Sequence, residues 1–285
     1  MDLQHRHLQP VRSLHRYAAV AALTAGALLV PAAARSQVSV EASPLRIDLT
    51  AGPGSSTTQA VSLTNAGTES VRIRATTTDW TLSRDGTPQF EGTPPDGPFS
   101  ATPWIRVAPP ELVIEPGVTA LVRISLTVPE SVTPAGYRSG VLFALSPAAI
   151  SPIEAQRGVS FRGRIATLLY VDIGNLPPQL ELTDLEVRSV GAQTLLVATV
   201  KNPSKRTVRT RGTVTITNPT ITVRSLQVPD VPVLPESERL IAVPIVDGTP
   251  DQTLPSGGYK AEVRIDAGQP TLIVGETSFD VPATR

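Results

Sequence analysis

Apolar and polar residues alternate with a period of two in short runs, and turn residues separate the runs. Residues 59–64 alternate and break at Asn65-Ala66-Gly67, and residues 71–75 follow as VRIRA. Residues 112–114 end at Pro116-Gly117, and residues 121–128 read LVRISLTV. Residues 137–145 and 159–173 complete a first set. A period of two puts alternate side chains on opposite faces of a strand, so each run needs cover on one face. Many short strands between turns predict an all-β fold, with two sheets stacked as an immunoglobulin-like sandwich.

A weak internal repeat predicts a second sandwich. Asn65 precedes Val71-Arg72-Ile73-Arg74, and Asn202 precedes Val208-Arg209-Thr210-Arg211 at the same spacing. Pro134-Ala135-Gly136-Tyr137 is echoed by Pro255-Ser256-Gly257-Gly258-Tyr259. Each Gly-Tyr is expected to open a penultimate strand, where a tyrosine hydroxyl bonded to nearby backbone pins the corner of a sandwich. The boundary is expected in Gly174-Asn175-Leu176-Pro177-Pro178, where paired prolines stiffen a short connection. The expected organisation is a signal segment at 1–36, one sandwich over 37–175 and another over 176–285.

Arg6, Arg12 and Arg16 precede the apolar run AAVAALTAGALLV, and small residues follow it. That is the layout of a cleaved secretory signal, with cleavage after Ala34 or Ser36. The run is shorter than the roughly 18–20 residues a membrane-spanning helix needs, and no later stretch qualifies. No span is therefore expected once the signal is removed. A periplasmic location is expected, with the cell surface as the alternative. Proline is abundant (28) and aromatics are scarce (4%), which disfavours long helices.

Composition narrows the chemistry. The three histidines, His5, His7 and His15, all lie in the signal segment, and the chain has no cysteine. A processed chain without imidazole or thiol lacks the usual proton carrier near neutral pH and the usual ligands of zinc, copper and iron. No metal, cofactor or catalytic residue is expected. Acids exceed bases by three from Gln37 onward, which is not the balance of a nucleic-acid binder. Carboxylates are the remaining catalytic route: Asp184 with Glu186, and Asp79, Asp85, Glu91 and Asp96 in one region. Their spacing matches no hydrolase pattern, and Asp247-Gly248-Thr249-Pro250-Asp251 lacks the alternating ligands of a calcium loop. A non-enzymatic binding protein is expected.

Pro109-Pro110-Glu111-Leu112-Val113-Ile114-Glu115-Pro116-Gly117, then Val122-Arg123-Ile124, resembles the N-terminal domain of the PapD-like periplasmic pilus chaperones. Arg46-Ile47-Asp48-Leu49-Thr50-Ala51-Gly52 and Ala60-Val61-Ser62-Leu63-Thr64-Asn65 are similar to that family's first two strands. The resemblance covers residues 38–173. It implies a factor that captures an exported subunit by strand addition, with an arginine and a lysine clamping the subunit's terminal carboxylate. Arg46 matches the arginine; the lysine has no counterpart, and Arg162 or Arg164 would have to supply the charge. The pairing with a second domain also resembles the two-domain WxL-interacting cell-surface proteins, on Leu234-Pro235, Pro255-Ser256-Gly257-Gly258-Tyr259 and Phe279-Asp280-Val281. That resemblance implies a structural envelope module that binds cell-wall polymer or another surface protein.

The last strand of the first sandwich is the expected partner-binding element. Its odd positions, including Ile165, Leu169, Val171 and Ile173, read as a core face. Its even positions begin polar with Arg162 and Arg164 and then turn apolar with Ala166, Leu168 and Tyr170. A strand apolar on both faces needs cover on both. A protein client, the second domain or a symmetric copy would supply it. The expected partner-binding residues are therefore Arg46, Arg162, Arg164, Ile165, Ala166, Leu168 and Tyr170. Two further candidates are the basic stretch 201–211, as a face for an acidic partner, and the irregular stretch 84–103 between Trp80 and Trp104, as a ligand loop.

Overall fold

The computed structural model describes residues 39–90, 97–148, 163–191, 193–219, 222–246 and 254–282. These residues fall in one compact unit. The first sandwich begins with β1 (Val40–Ser43), β2 (Arg46–Ala51), β3 (Ser56–Asn65) and β4 (Val71–Thr78). A small hairpin, β5 (Thr81–Leu82) and β6 (Pro88–Gln89), follows. After a 3-10 turn at Thr102–Trp104 come β7 (Ile105–Ala108), β8 (Glu111–Ile114), β9 (Thr119–Thr127), β10 (Ala135–Pro147) and β11 (Gly163–Ile173). The second sandwich comprises β12 (Glu181–Val190), β13 (Gln193–Asn202), β14 (Val208–Thr217), β15 (Thr222–Val233), β16 (Ser237–Val246), β17 (Gly257–Asp266) and β18 (Ile273–Val281).

The first sandwich stacks sheet β1-β3-β9-β7 on sheet β2-β11-β10-β4-β8. The second stacks β12-β13-β16 on β15-β14-β17-β18. Alternation produces each core. In β4, Val71, Ile73 and Ala75 are buried while Arg72, Arg74 and Thr76 are exposed. Val61, Leu63, Ile124, Phe143, Leu169 and Val171 meet in the first core, and Val200, Ile216, Ile241, Val263 and Ile265 in the second. Each fully buried aliphatic or aromatic side chain there contributes roughly 1.5–3 kcal/mol of transfer free energy.

The two halves of the repeat are pinned alike. Asn65 and Asn202 are fully buried. The Asn65 amide donates to Glu69 O (2.7 Å) and Ile114 O (2.9 Å), and its side-chain oxygen accepts from Gly67 N (3.0 Å). The Asn202 amide donates to Arg206 O (2.7 Å), Val233 O and Leu234 O (both 3.0 Å), and its oxygen accepts from Ser204 N (3.0 Å). Tyr137 donates its hydroxyl to Thr133 O and Tyr259 donates to Pro255 O, each at 2.8 Å. Both tyrosines lie in the penultimate strands of their sandwiches, β10 and β17.

One sequence expectation needs correction. Residues 84–103 are not uniformly irregular, because β6 lies within them and a 3-10 turn begins at Thr102. Trp80 is fully buried. It forms a separate buried cluster with Tyr170 and with Leu234 of the second sandwich.

Candidate partner-binding edge and cleft

Strand β11 carries most of the candidate residues. It pairs antiparallel with β10 along its full length, from Gly163↔Leu145 to Ile173↔Ala135. On its other edge it pairs in parallel with β2, but only from Leu168↔Arg46 to Ile173↔Ala51. No described strand lies beside residues 163–167 on that edge. The β2 ladder begins where Leu168 N donates to Leu45 O (2.9 Å). Backbone groups of a strand alternate in direction, so those of residue 166 point to the same open side as Leu168 N. Thr167, fully buried on the core side, donates its hydroxyl to Pro44 O (3.0 Å).

The two faces of β11 divide the candidates. Leu169, Val171 and Ile173 lie in the first core, and Ile165 packs against it half-buried. Ile165 thus contacts the core while also lining a groove beside Ala166. On the opposite face Tyr170 is buried, its ring 5.2 Å from that of Trp80 in an edge-on arrangement. Leu168 is half-buried against the same Trp80–Tyr170–Leu234 cluster, together with Leu82 and Phe90. Farther along, Arg164, Ile165 and Ala166 line a shallow groove of about 280 Å³ with Pro88, Gln89, Phe90 and Leu142. The chain itself covers the second face at Tyr170, and cover thins toward Ala166. Arg162 lies outside the described residues, as do Glu91, Asp96 and residues 247–251.

Arg46 places its guanidinium 5.3 Å from the centroid of the Tyr170 ring, a cation–π distance. It also bonds Asp48 at 2.5 and 3.0 Å. Burial pushes the Tyr170 phenol above its usual range, and the positive charges of Arg46 and Arg209 oppose that shift. Arg46 opens onto a cleft of about 520 Å³ between the sandwiches, lined also by Asp172, Arg206, Arg209, Arg211 and Asp266. Burial raises the Asp172 carboxyl above the ordinary range, and nearby Arg206, at 3.5 Å, opposes this.

The other candidates serve local structure. In the basic stretch, Lys205 O accepts from Gly136 N (2.7 Å), and Arg206 Nη1 donates to Leu176 O (3.0 Å). Arg209 and Arg211 share Asp230 at 2.5 and 3.4 Å. That stretch therefore forms much of the seam between the sandwiches. Asp79 accepts from Ser100 Oγ (2.6 Å) and Thr102 Oγ1 (2.7 Å), and Asp85 bonds within its own turn. Glu186 pairs with Arg188. Among the described residues, no group of three or more acidic side chains is placed to hold a metal ion. No described helix is long and apolar enough to cross a membrane.

Sequence reasoning missed the groove residue Leu142; Phe90 lies within the stretch 84–103 and Arg209 within the basic stretch 201–211, both singled out from the sequence but not placed beside β11 or Arg46. A usable signal was present in β10, where Gly136 and Gly140 stand four apart on its outward face. A Cβ at residue 136 would lie 2.7 Å from Thr207 N, and one at residue 140 would lie 3.4 Å from Trp80 Cδ1. The first glycine admits the second sandwich, and the second admits the tryptophan.

No family model matches the chain, and no curated protein matches it significantly. Many solved pilus chaperones are structural neighbours over most of its length. The YadV chaperone is 12% identical, covering 86% of this chain and 100% of its own, with a TM-score of 0.41. The Pseudomonas aeruginosa CupB2 chaperone is 17% identical, with the same coverage and a TM-score of 0.40. A chain from the structure of Salmonella enterica SafA pilin in complex with the SafB chaperone is 14% identical, covering 87% of this chain and 99% of its own, with a TM-score of 0.41. At these identities and scores, the description of the fold rests on the chain's own sheets.

Proposed function

We propose that this chain is an exported, non-enzymatic factor that captures a protein partner by β-strand addition at residues 163–167. One observation carries the reading: among the described residues, β11 is paired on both edges along 168–173 but only by β10 along 163–167. A half-finished ladder is a template for a further strand, and native proteins usually blunt such edges. In this reading the two sandwiches are domains spanning 37–175 and 176–285, residues 1–36 direct export, and the periplasm is the working compartment. Ala166 and Arg164 flank the partner strand, with Leu168 at its end. Arg162, which precedes β11, belongs to the same proposed surface.

The resemblance to pilus chaperones adds a place for the partner's carboxylate terminus at Arg46. The lysine implied by that family has no counterpart here, and Arg209, on the other wall of the same cleft, supplies a second cation. A cell-wall polymer is the weaker reading. An unpaired peptide edge selects for another peptide, and a glycan cannot continue the ladder.

The test is capture from the native periplasm with Ala166→Pro as the discriminating variant. Proline deletes the outward N–H without touching the β10 ladder, and edge strands tolerate it. Capture should fall about tenfold while thermal stability is retained. Amides of residues 163–167 should gain hydrogen-exchange protection in the complex. Recovery of free protein alone, or equal capture by the variant, would sink the reading.

A further inference from the structure

The hairpin β5–β6 belongs to the first sandwich in sequence, yet its tip lies on the second. At its root, Trp80 is fully buried, its indole Nε1 donating to Ser139 O (2.8 Å) while Arg138 Nε donates to Trp80 O (2.7 Å). The turn is tightly bonded: Ser83 N donates to Thr87 O (3.0 Å), Gly86 N to Ser83 O (2.9 Å) and Thr87 N to Asp85 Oδ1 (3.1 Å). The Ser83 hydroxyl and the Thr87 amide hold the Asp85 carboxyl below its usual range.

Three contacts join that turn to β16. Leu240 N donates to Arg84 O at 2.7 Å, extending the edge of β16 by one backbone bond. The Arg84 guanidinium pairs with Glu238 at 2.7 Å. The Arg239 guanidinium lies flush on Gly86, where a Cβ would fall 2.0 Å from Nη2 and where φ is +90°. Only glycine combines that backbone conformation with that approach. Arg239 is held from its other side by Pro232 O. Beneath the hairpin lies the buried trio Trp80, Tyr170 and Leu234, which takes residues from both sandwiches.

We propose that the β5–β6 hairpin is a brace that fixes the angle between the two sandwiches and hence the opening of the cleft. A seam at the linker already exists, made by Gly136 with Lys205 and by Arg206 with Asp172 and Leu176. A hinge held along one seam still opens and closes. A second seam, from another segment of the first sandwich to another strand of the second, removes that freedom. The brace operates whatever partner the chain binds.

The absence of cysteine allows a clean test by spin-label distance measurement between Thr127→Cys and Ser278→Cys, both at exposed positions on different sandwiches. The unaltered hairpin should give one narrow distance distribution. Gly86→Val should about double its width, because the tip loses its seat and the sandwiches swing. Glu238→Arg, which sets like charges face to face, should broaden it less. Arg84→Glu combined with Glu238→Arg should restore the narrow distribution. Should Gly86→Val fail to fold by circular dichroism, the charge-reversal series decides the matter at solvent-exposed positions. Unchanged widths in the single variants, or a broadening that the charge swap leaves uncorrected, would overturn the brace.

Discussion

The two sandwiches are pinned by the same residues in the same places and differ in how their last strands end. In both, a buried asparagine ties a turn to a strand of the facing sheet, and a tyrosine hydroxyl locks the penultimate strand. In the second sandwich, β18 alternates cleanly and faces outward with Val274, Glu276, Ser278 and Asp280. It packs along β12 at the rim of the sandwich. Its carboxylates are the ordinary protection of an edge. In the first sandwich, β11 abandons alternation after Arg164 and joins β2, a segment that has crossed from the other sheet. The architecture is shared; what sets the first sandwich apart is one strand whose second face is greasy and whose ladder, among the described residues, stops halfway.

The shared pins are the place to break both halves equally. Asn65→Ala and Asn202→Ala each orphan several buried backbone groups, so urea unfolding should show a loss of about 3 kcal/mol or more for either. A large asymmetry would mean that the repeat is one of sequence and not of mechanics. Tyr137→Phe and Tyr259→Phe remove one hydrogen bond each and should cost about 1 kcal/mol apiece by the same measurement.

The alternating strands of the first sandwich, the repeated asparagine turns and the Gly-Tyr pairs were legible in the chain because each obeys a local rule: period two, a turn after Asn, a tyrosine corner. The hairpin β5–β6 was not. Its strands are two residues long, Pro88 interrupts any alternation, and what makes it matter is contact with β16 more than 150 positions away. The basic stretch 201–211 read as a charged face for a partner. Its pairings, to Asp172 and Asp230, depend on which elements the fold brings opposite. On β11 the doubly apolar character was visible in sequence. The cover over Tyr170 was not, because Trp80 and Leu234 come from distant segments.

Asp172 sharpens the contrast at the seam. Burial raises its carboxyl pKa in the folded state, so the folded chain holds a proton that the unfolded chain has released. That contribution is complete below the unfolded value of about 4 and is lost as pH rises through the folded one. Asp172→Asn should therefore look more favourable at pH 7 than at pH 4 relative to the parent, by thermal melts across that window. A difference of opposite sign would show that attraction to Arg206 outweighs burial. The smallest effect is expected on the second sandwich's outer face. There the Lys260–Glu276 pair is well exposed, and Glu276→Gln should change unfolding free energy by less than about 0.5 kcal/mol.

Strand β10 has a mechanical consequence. One of its sides lines the first core, and on the other Gly136 and Gly140 seat the second sandwich and the tryptophan at the root of the hairpin. A pull applied between the two lobes would pass through this girder and its two notches as well as through the proline-stiffened connection. The connection needs little tensile strength of its own, and its length can drift while the lobes keep their alignment.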